Sequence, residues 1–543
     1  MAQYLDSAFL LALSVVGLVA FKWIISRASS THSKLPLPPG PKLAPIVGNL
    51  FQFPRELPWI KYREWGLEYG DVVYLRAINR NIILINSHQA ALDLLEHKSV
   101  IFSSRPHITF ASDMCGFSKS LVLTPYNARM RASRKHFHSL MSPRHTPQYW
   151  SLEESAARRL ARSLYDDLAN GDGQGEQVFE RIKWTTASVA VLIAYGYTPS
   201  KEHDPLLRME EATSRYFEEA TAPGGWIVDE ITVLKYIPSW FPFTSFQRTA
   251  AKWRREVQEV VDVPFETVRN QMTTNSAPPS FVRKILEGEP STQTPEEIDI
   301  LKWTAGVIFS AGTETTASAI YSYFLAMVLF PKVQERAQAE LDAVIGTERM
   351  PGLADRQGGK LVYVEALVKE IMRWAPIAPL GVVHLSTKEY EYRGWRIPDE
   401  SMVVVNVWGI FRDPSIYPLP EEFRPERFLT KAQGGDCEST EDIPLDPREV
   451  VFGYGRRNCP GQHLADLALW IAVATILSVY HISAAPDSDK MPSVNYTSGV
   501  VSHPKPFKCA VRPRSEKAKQ LILEFDDSAV AYMAETAPFH VKV

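Results

Sequence analysis

Residues 451–461, Val-Phe-Gly-Tyr-Gly-Arg-Arg-Asn-Cys-Pro-Gly, place a lone cysteine, Cys459, in a loop that contains glycines and two arginines. From Leu467 to Leu477 the chain is almost wholly apolar. A helix that is apolar on all sides is buried, and one this short is more typical of a protein core than of a membrane span. The sequence therefore predicts a cysteine at the entrance to a buried helix, around which the chain has to fold.

The position of Cys459 favours a thiolate, because backbone N–H groups and the dipole at a helix N-terminus lower the pKa of a thiol. A thiolate can ligate iron, and as an axial ligand of haem it promotes cleavage of the O–O bond. Arg457 has the charge to bind a haem propionate. Phe452 can shield the sulfur from water, and Gly461 lets the backbone approach a flat cofactor. The alternative for a lone cysteine is a buried structural residue.

The spacing Phe-x-x-Gly-x-Arg-x-Cys-x-Gly, from Phe452 to Gly461, resembles the haem-binding loop of the cytochrome P450 family. The resemblance implies a mainly α fold with a small β region, haem b as the cofactor and Cys459 as the axial iron ligand. It also implies a monooxygenase that oxidises a lipophilic small molecule with O2 and electrons from an NADPH-cytochrome P450 reductase. Residues 238–240, 379–381 and 503–507 resemble fungal members related to O-methylsterigmatocystin oxidoreductase, which implies secondary metabolism.

Charge and cysteine content argue against other classes of protein. The 543 residues carry a formal net charge of −3, which gives no overall basis for binding nucleic acid. Four cysteines in a chain of this length do not make a disulfide framework. A reducing compartment is therefore expected for the bulk of the protein.

An apolar segment near the start predicts a membrane anchor. Residues 8–25 are apolar or small apart from Lys22, whose amine can extend to the interface, so they nearly span a bilayer. Asp6 precedes the segment and Arg27 and Lys34 follow it, so the positive-inside rule places the rest in the cytosol. The segment predicts a single-pass membrane protein, and the resemblance to the cytochrome P450 family implies the endoplasmic reticulum membrane. A cleaved signal peptide is the alternative, against which Asp6 argues.

A proline-rich stretch, Leu-Pro-Leu-Pro-Pro-Gly-Pro, follows the apolar segment and is stiff and extended. It resembles the hinge of microsomal members of the family. The predicted organisation is therefore an anchor at residues 1–34, a hinge at 35–42, a catalytic domain at 43–515 and a tail at 516–543.

One very long helix is expected in the second half of the chain. Thr294, Pro295 and Glu297 form a helix-start pattern with an N-cap, a proline at the first position and a glutamate at the third. No further proline occurs before Pro331. Such a helix would be about 50 Å long at 1.5 Å per residue and would cross a whole domain.

The middle of this helix, Ala-Gly-Thr-Glu-Thr-Thr from Ala311 to Thr316, resembles the oxygen-activation motif of the family. Its small residues are expected to leave room beside the helix. The Thr315 hydroxyl can bond the carbonyl of Ala311, which would open a groove for dioxygen. Glu314 and Thr315 are predicted to hold water and relay protons. The alternative is a buried helix with incidental polar residues.

Two further residues match propionate-binding positions of the family. Arg134 corresponds to the arginine of a Trp-x-x-x-Arg pair, but Met130 stands where the tryptophan is usual, so one donor is missing. His384 lies where the family often places a propionate partner. The other basic residues of the segment 129–138 are expected on a solvated face, which is a candidate docking surface for the reductase.

Two other patterns concern structure. Glu370, Arg373 and Arg427 resemble the structural triad that braces the cysteine loop. Residues 204–246, rich in aromatics and prolines, are either a lid that touches the membrane or ordinary core.

Two alternatives to a monooxygenase remain open. A haem-thiolate isomerase or dehydratase needs neither O2 nor a reductase, but such branches tend to lack the acid–alcohol pair that Glu314 and Thr315 form here. A non-catalytic haem sensor or carrier has no need of a proton relay. Neither the substrate nor the number of oxidation steps follows from the sequence.

Overall fold

The computed structural model describes residues 35–169, 177–200, 204–288, 294–486 and 491–525, and the predicted anchor lies outside the described residues. The fold is mainly helical with small sheets, as predicted. Within the described residues, the helices of eight residues or more are α1 (Pro58–Tyr69), α2 (Ala128–Met141), α3 (Trp150–Ala169), α4 (Val178–Tyr195), α5 (Pro205–Thr221), α6 (Ser245–Thr273), α7 (Phe281–Gly288), α8 (Pro295–Leu329), α9 (Pro331–Val344), α10 (Val362–Trp374), α11 (Gln462–Val479) and α12 (Glu516–Leu523).

Helix α8 is the predicted long helix. The Thr294 hydroxyl accepts the N–H of Glu297, whose carboxylate accepts the N–H of Thr294, so the helix begins with a full capping box. Most of its residues are buried, because α8 packs along α4 on one side and against α11 on another. Burial on several sides explains why its apolar residues form no single stripe.

Helix α11 is the buried helix that the segment 467–477 predicted. Among the described residues it is the one single helix that is long and apolar enough to cross a membrane. Residues from Leu469 to Leu477 are buried against α3 and α8, so the helix belongs to the core of the protein. Helix α12 packs on α3 and α11 with Ala518 and Ile522 buried, so the first part of the predicted tail contacts the body of the domain.

The strands form three small sheets. The largest has the order β1 (Val72–Ala77), β2 (Arg80–Ile85), β6 (Met402–Val405), β3 (His384–Leu385), in which only β2 and β6 run parallel. Pairing of His384 with Val403 fixes the position of His384 at this edge. The other two sheets pair β4 (Tyr390–Tyr392) with β5 (Trp395–Ile397) and β7 (Tyr480–Ala484) with β8 (Cys509–Pro513).

The predicted triad is present and fully buried. Glu370 accepts from Arg373 through both carboxylate oxygens, each at 2.8 Å, and from Arg427 at 3.2 Å. The other donors of the two arginines bind backbone carbonyls between Phe411 and Glu422. The triad therefore holds the segment 411–422, which precedes the cysteine loop, and these hydrogen bonds do not reach the loop itself.

Residues 204–246 contain both buried and exposed apolar side chains. Leu206, Thr213 and Ala220 of α5 are buried in the core. The turns that follow expose several large apolar side chains, with Trp240 79 % and Phe243 98 % exposed. The segment thus supplies one wall of the interior and an apolar patch on the surface.

Replacing Glu370 by alanine should strongly destabilise the protein, because two buried guanidinium groups would lose their counter-charge. Breaking a buried ion pair in this way costs about 3–5 kcal/mol. We expect urea unfolding of Glu370→Ala to have a clearly lower midpoint than that of the wild type. Glu422→Ala is the control, since its side chain is 56 % exposed and its backbone carbonyl remains. Equal midpoints for Glu370→Ala and the wild type would contradict a stabilising role for the triad.

Candidate functional site

A mainly apolar cavity of about 510 Å³ lies in the helical core. Helix α8 and the cysteine loop (residues 452–461) both contribute to its wall, and further residues come from α3, α4, α5 and α11. Cys459, Thr315 and Glu314 all line this one cavity, so the structure brings together the sequence motifs that predicted chemistry.

The geometry of the cysteine loop depends on close backbone contacts. Gly455 has φ +57°, and a Cβ at this position would lie 2.2 Å from the carbonyl oxygen of Leu95. Only glycine fits such an approach. The N–H of Cys459 donates to the carbonyl of Phe452 at 2.7 Å, which closes the loop. The loop therefore presents Cys459 to the cavity from a fixed backbone.

Opposing effects act on the thiol of Cys459. Burial raises its pKa, while a hydrogen bond from the backbone N–H of Gly461 and the charge of Arg134 lower it. The sequence predicted that the pKa of Cys459 is lowered. In the protein chain alone, burial raises this pKa by more than the other effects lower it. Coordination by a metal ion deprotonates a thiol outright, so the same sulfur still suits iron.

Phe452 and Gly461 line the cavity beside Cys459, as a role next to the cofactor requires. A Cβ at Gly461 would lie 4.0 Å from the Cys459 sulfur and 3.8 Å from the Met141 sulfur. The missing side chain thus leaves space next to the sulfur.

Two predicted propionate partners, Arg134 and Arg457, line the cavity next to the cysteine loop. Arg134 donates to the backbone and side-chain oxygens of Asn458 at 2.8 and 2.7 Å. Arg457 donates to the carbonyls of Ser103, at 2.7 Å, and Thr124, at 2.6 Å. Burial and the neighbouring Arg134 lower the pKa of Arg457 to about 10.

A third arginine, Arg105, lines the same cavity and was missed as a site residue by the sequence reasoning. It is 7 % exposed, donates to the carbonyls of Val382 and Val383, and leaves its Nε without a partner. Burial and the charge of Arg457 hold its pKa well below the usual value. The sequence feature that could have indicated this residue is its charge within the stretch Phe-Ser-Ser-Arg-Pro.

These three arginines form an uncompensated basic region, which we call the cationic edge: Arg105, Arg134 and Arg457. Within the described part of the chain, their recorded partners are backbone carbonyls and the Asn458 amide oxygen, with no carboxylate among them. Buried charges are normally paired. The cationic edge therefore fits a ligand that carries carboxylates, as haem does in its propionates.

His384 lies beside the cationic edge and lines the cavity. Its Nδ1 is 2.7 Å from the carbonyl of Phe102, so Nδ1 carries the proton that this bond requires. Burial and the charges of Arg105 and Arg457 hold its pKa well below the usual range. His384 is therefore neutral in the protein alone, and a carboxylate ligand nearby would favour protonation of Nε2.

On α8 the Thr315 hydroxyl donates to the carbonyl of Ala311 at 2.7 Å, as predicted. Ala311 and Gly312 line the cavity, so the small residues leave room beside the helix as expected, although a Cβ at Gly312 would lie 3.2 Å from Ala190 Cβ on α4. Helix α8 is also continuous through this region. The Thr186 hydroxyl of α4, which the sequence reasoning missed, donates to the carbonyl of Thr313 at 2.8 Å and ties the two helices together.

Glu314 is accompanied by two acids that the sequence did not single out, Glu210 and Glu218 of α5. Burial raises the pKa of Glu314, while Lys183 lowers it. Burial and the nearby Glu314 raise the pKa of Glu210 to about 8 and that of Glu218 to about 7. Glu210 accepts the Ser214 hydroxyl at 2.6 Å. This wall can hold protons at neutral pH.

Met130 is buried at the position where a tryptophan donor was expected. Among the described residues, no group of three His, Cys, Asp or Glu side chains is arranged to hold a metal ion.

Comparison with known proteins gives one consistent family. The family model described as cytochrome P450 matches residues 38–511. Cytochrome P450 monooxygenase 208 of Postia placenta is 38 % identical over 513 residues, covering 94 % of this chain and 96 % of the relative. Cytochrome P450 monooxygenase claR of Ampulloclitocybe clavipes is 37 % identical (94 % and 91 % covered), and ppsD of Aspergillus oryzae is 34 % identical (94 % and 95 % covered).

Proposed function

This chain belongs to the cytochrome P450 family and is a monooxygenase of that class; we propose that it oxidises a lipophilic small molecule of fungal secondary metabolism. The observation that carries the proposal is that Cys459, the cationic edge and the Glu314–Thr315 pair line one apolar cavity. An apolar cavity with a few polar groups is the usual form of a site for a small lipophilic ligand.

We assign haem b to the part of the cavity next to Cys459. The Cys459 sulfur would ligate the iron, while Arg105, Arg134, Arg457 and, once protonated, His384 would bind the propionates. Phe452 would shield the sulfur and Gly461 would leave space beside it. When bound, haem supplies the oxidising power, and a thiolate ligand favours cleavage of the O–O bond.

The other residues of the site handle binding and protons. The apolar wall excludes water and orients the substrate. Thr315 and Glu314 would hold water and deliver protons where dioxygen is reduced, with Glu210 as a further carboxyl able to carry a proton at neutral pH. A group whose pKa lies near the working pH is well suited to proton transfer.

The electrons would come from an NADPH-cytochrome P450 reductase. Arg134 ties α2 to the cysteine loop, and exposed Arg131 and Lys135 on the same helix and Arg456 in the loop lie nearby. An exposed basic surface close to Cys459 suits an acidic partner that has to approach the cofactor. Complementary charge speeds such encounters.

The proposed location is the endoplasmic reticulum membrane, with the catalytic domain facing the cytosol. Residues 8–25 would form the anchor. The exposed apolar side chains of the segment 227–243, which we call the apolar patch, support a second contact with lipid: Ile227, Val233, Tyr236, Trp240 and Phe243. Apolar patches of this kind mark membrane or protein contacts.

The first prediction of this proposal concerns the iron ligand. Cys459→Ala should abolish the red-shifted Soret band that a thiolate-ligated, reduced haem gives with carbon monoxide, because no other thiol lines the described cavity wall. Cys115→Ala, Cys437→Ala and Cys509→Ala are the controls and should keep the band. A Cys459→Ala protein with the normal carbon-monoxide spectrum would end the haem-thiolate assignment.

The second prediction concerns proton delivery. Thr315→Ala should lower the product formed per NADPH by roughly tenfold or more, with peroxide released instead, because positioned proton transfer is worth about 10²–10⁴-fold. Binding of a substrate found by its Soret shift should change little. Thr313→Ala is the control, since its hydroxyl also donates to a helix carbonyl, that of Phe309, but is buried away from the cavity. An unchanged yield in Thr315→Ala would remove Thr315 from the mechanism.

The third prediction concerns the membrane. Deleting residues 1–34 should weaken flotation with phosphatidylcholine vesicles without preventing haem binding, and Trp240→Ser with Phe243→Ser in the shortened chain should weaken it further. Val344→Ser, which alters an exposed apolar residue at the end of α9, is the control. Full membrane binding by the shortened, doubly substituted chain would refute both contacts.

A further inference from the structure

Residues 499–501, which we call the tip, form part of the cavity wall through Val500 and Val501. The base of the surrounding loop is closed by a bridge between Tyr496 and Pro504 and by backbone hydrogen bonds from Thr497 to His503, at 2.9 Å, and from Lys505 to Asn495, at 2.8 Å. These hydrogen bonds do not include residues 499–501, so the position of the tip also depends on contacts with other parts of the chain.

Two of those contacts flank the tip. The Ser498 hydroxyl accepts the N–H of Leu57 at 3.1 Å, and the N–H of Ser502 donates to the carbonyl of Ile377 at 2.7 Å. Both anchor the loop outside residues 499–501. Neither contact holds the part of the tip that faces α5, which has a contact of its own.

That contact is made by Glu218 of α5. The backbone N–H of Val501 interacts with the Glu218 carboxylate and lowers its pKa. A Cβ at Gly499 would lie 2.7 Å from Glu218 Oε1 and 3.0 Å from the carbonyl of Val501. The carboxylate therefore occupies the space that a side chain at residue 499 would need. Glu218 also lines the cavity, as do Ser214 and Phe217 on the same helix.

We propose that Glu218 is a positioning residue that fastens the tip to α5 and so controls access of lipophilic substrates to the cavity. The proposal rests on the function proposed above. The contact joins α5, whose following segment carries the apolar patch, to a loop that contributes two apolar side chains to the cavity wall. Releasing it would let the tip move away from α5 and open the wall between them.

The test uses the full-length holoprotein and two probes, carbon monoxide and 1-phenylimidazole. Association of carbon monoxide with the reduced haem is followed after flash photolysis, and association of 1-phenylimidazole with the oxidised haem by stopped flow. Glu218→Ala should speed association of 1-phenylimidazole about tenfold. Losing one interaction with a charged group changes the equilibrium between the closed and open positions of the tip by about that factor. The smaller carbon monoxide should respond less.

Three further variants make the test specific. Glu218→Gln keeps an acceptor oxygen and should stay within about twofold of the wild type. Glu219→Ala removes the next carboxylate, which is exposed and lies outside the cavity wall, and should leave the rates unchanged. Gly499→Ala should act like Glu218→Ala, because its methyl group would displace the carboxylate. Gly499→Ala should have a smaller effect in a protein that already carries Glu218→Ala, because the effects of substitutions at contacting residues are not additive.

Rates in Glu218→Ala equal to the wild type would overturn the proposal, as would an equal rise in Glu219→Ala or in Glu218→Gln. If Glu218→Ala does not fold, Gly499→Ala gives the same information. The carbon-monoxide spectrum separates this result from the proposed function. A wild type without the thiolate-type band refutes the function, whereas normal spectra with equal rates refute only the role of Glu218.

Discussion

The contact between Gly455 and the carbonyl of Leu95 is the constraint on which the site depends. It presses the cysteine loop against a helical segment more than 350 residues earlier in the chain, and His88 in that region lies 3.1 Å from the hydroxyl of Tyr454. With the N–H of Cys459 bonded to Phe452, the loop has little freedom. Because these contacts restrain the loop, the backbone fixes where the Cys459 sulfur meets the cavity, which is the advantage of preorganisation.

Charge compensation separates the structural arginines of this protein from those of the site. Arg373 and Arg427 share the buried carboxylate of Glu370, and their other donors bind carbonyls, so that cluster is complete within the chain. Arg105 and Arg457 are also largely buried, but their donors reach only neutral carbonyls. A buried cation without an anion is costly. A bound cofactor that carries carboxylates would offset that cost.

The wall formed by α5 and α8 shows the opposite arrangement. Glu210, Glu218 and Glu314 face the cavity with pKa values above those of ordinary carboxyls. In the unfolded chain they would ionise near pH 4.5, so their contribution to folding stability falls as the pH rises from there to about 8. The fold thus keeps carboxyls at a place where they lower its stability at neutral pH. Groups retained against stability in this way are typical of proton transfer and ligand control.

The sequence by itself determined the main helices and singled out Cys459 as the candidate metal ligand. The capping residues Thr294 and Glu297, the apolar run of α11 and the spacing around Cys459 are local patterns, and each folded as local physics requires. Thr315 bonds Ala311 because both lie on one turn of one helix. The family resemblance pointed to Arg134, Arg457 and His384 as candidate propionate partners, and all three line the cavity. Only the tertiary structure decided what surrounds them. Arg105 contacts Val383, Thr186 contacts Thr313, and Glu218 contacts Val501. The residues of each pair are far apart in the chain, so no periodic pattern in the sequence reveals these contacts. The close approach of Ala190 to Gly312 also follows from tertiary packing, since the packing of two helices depends on both partners.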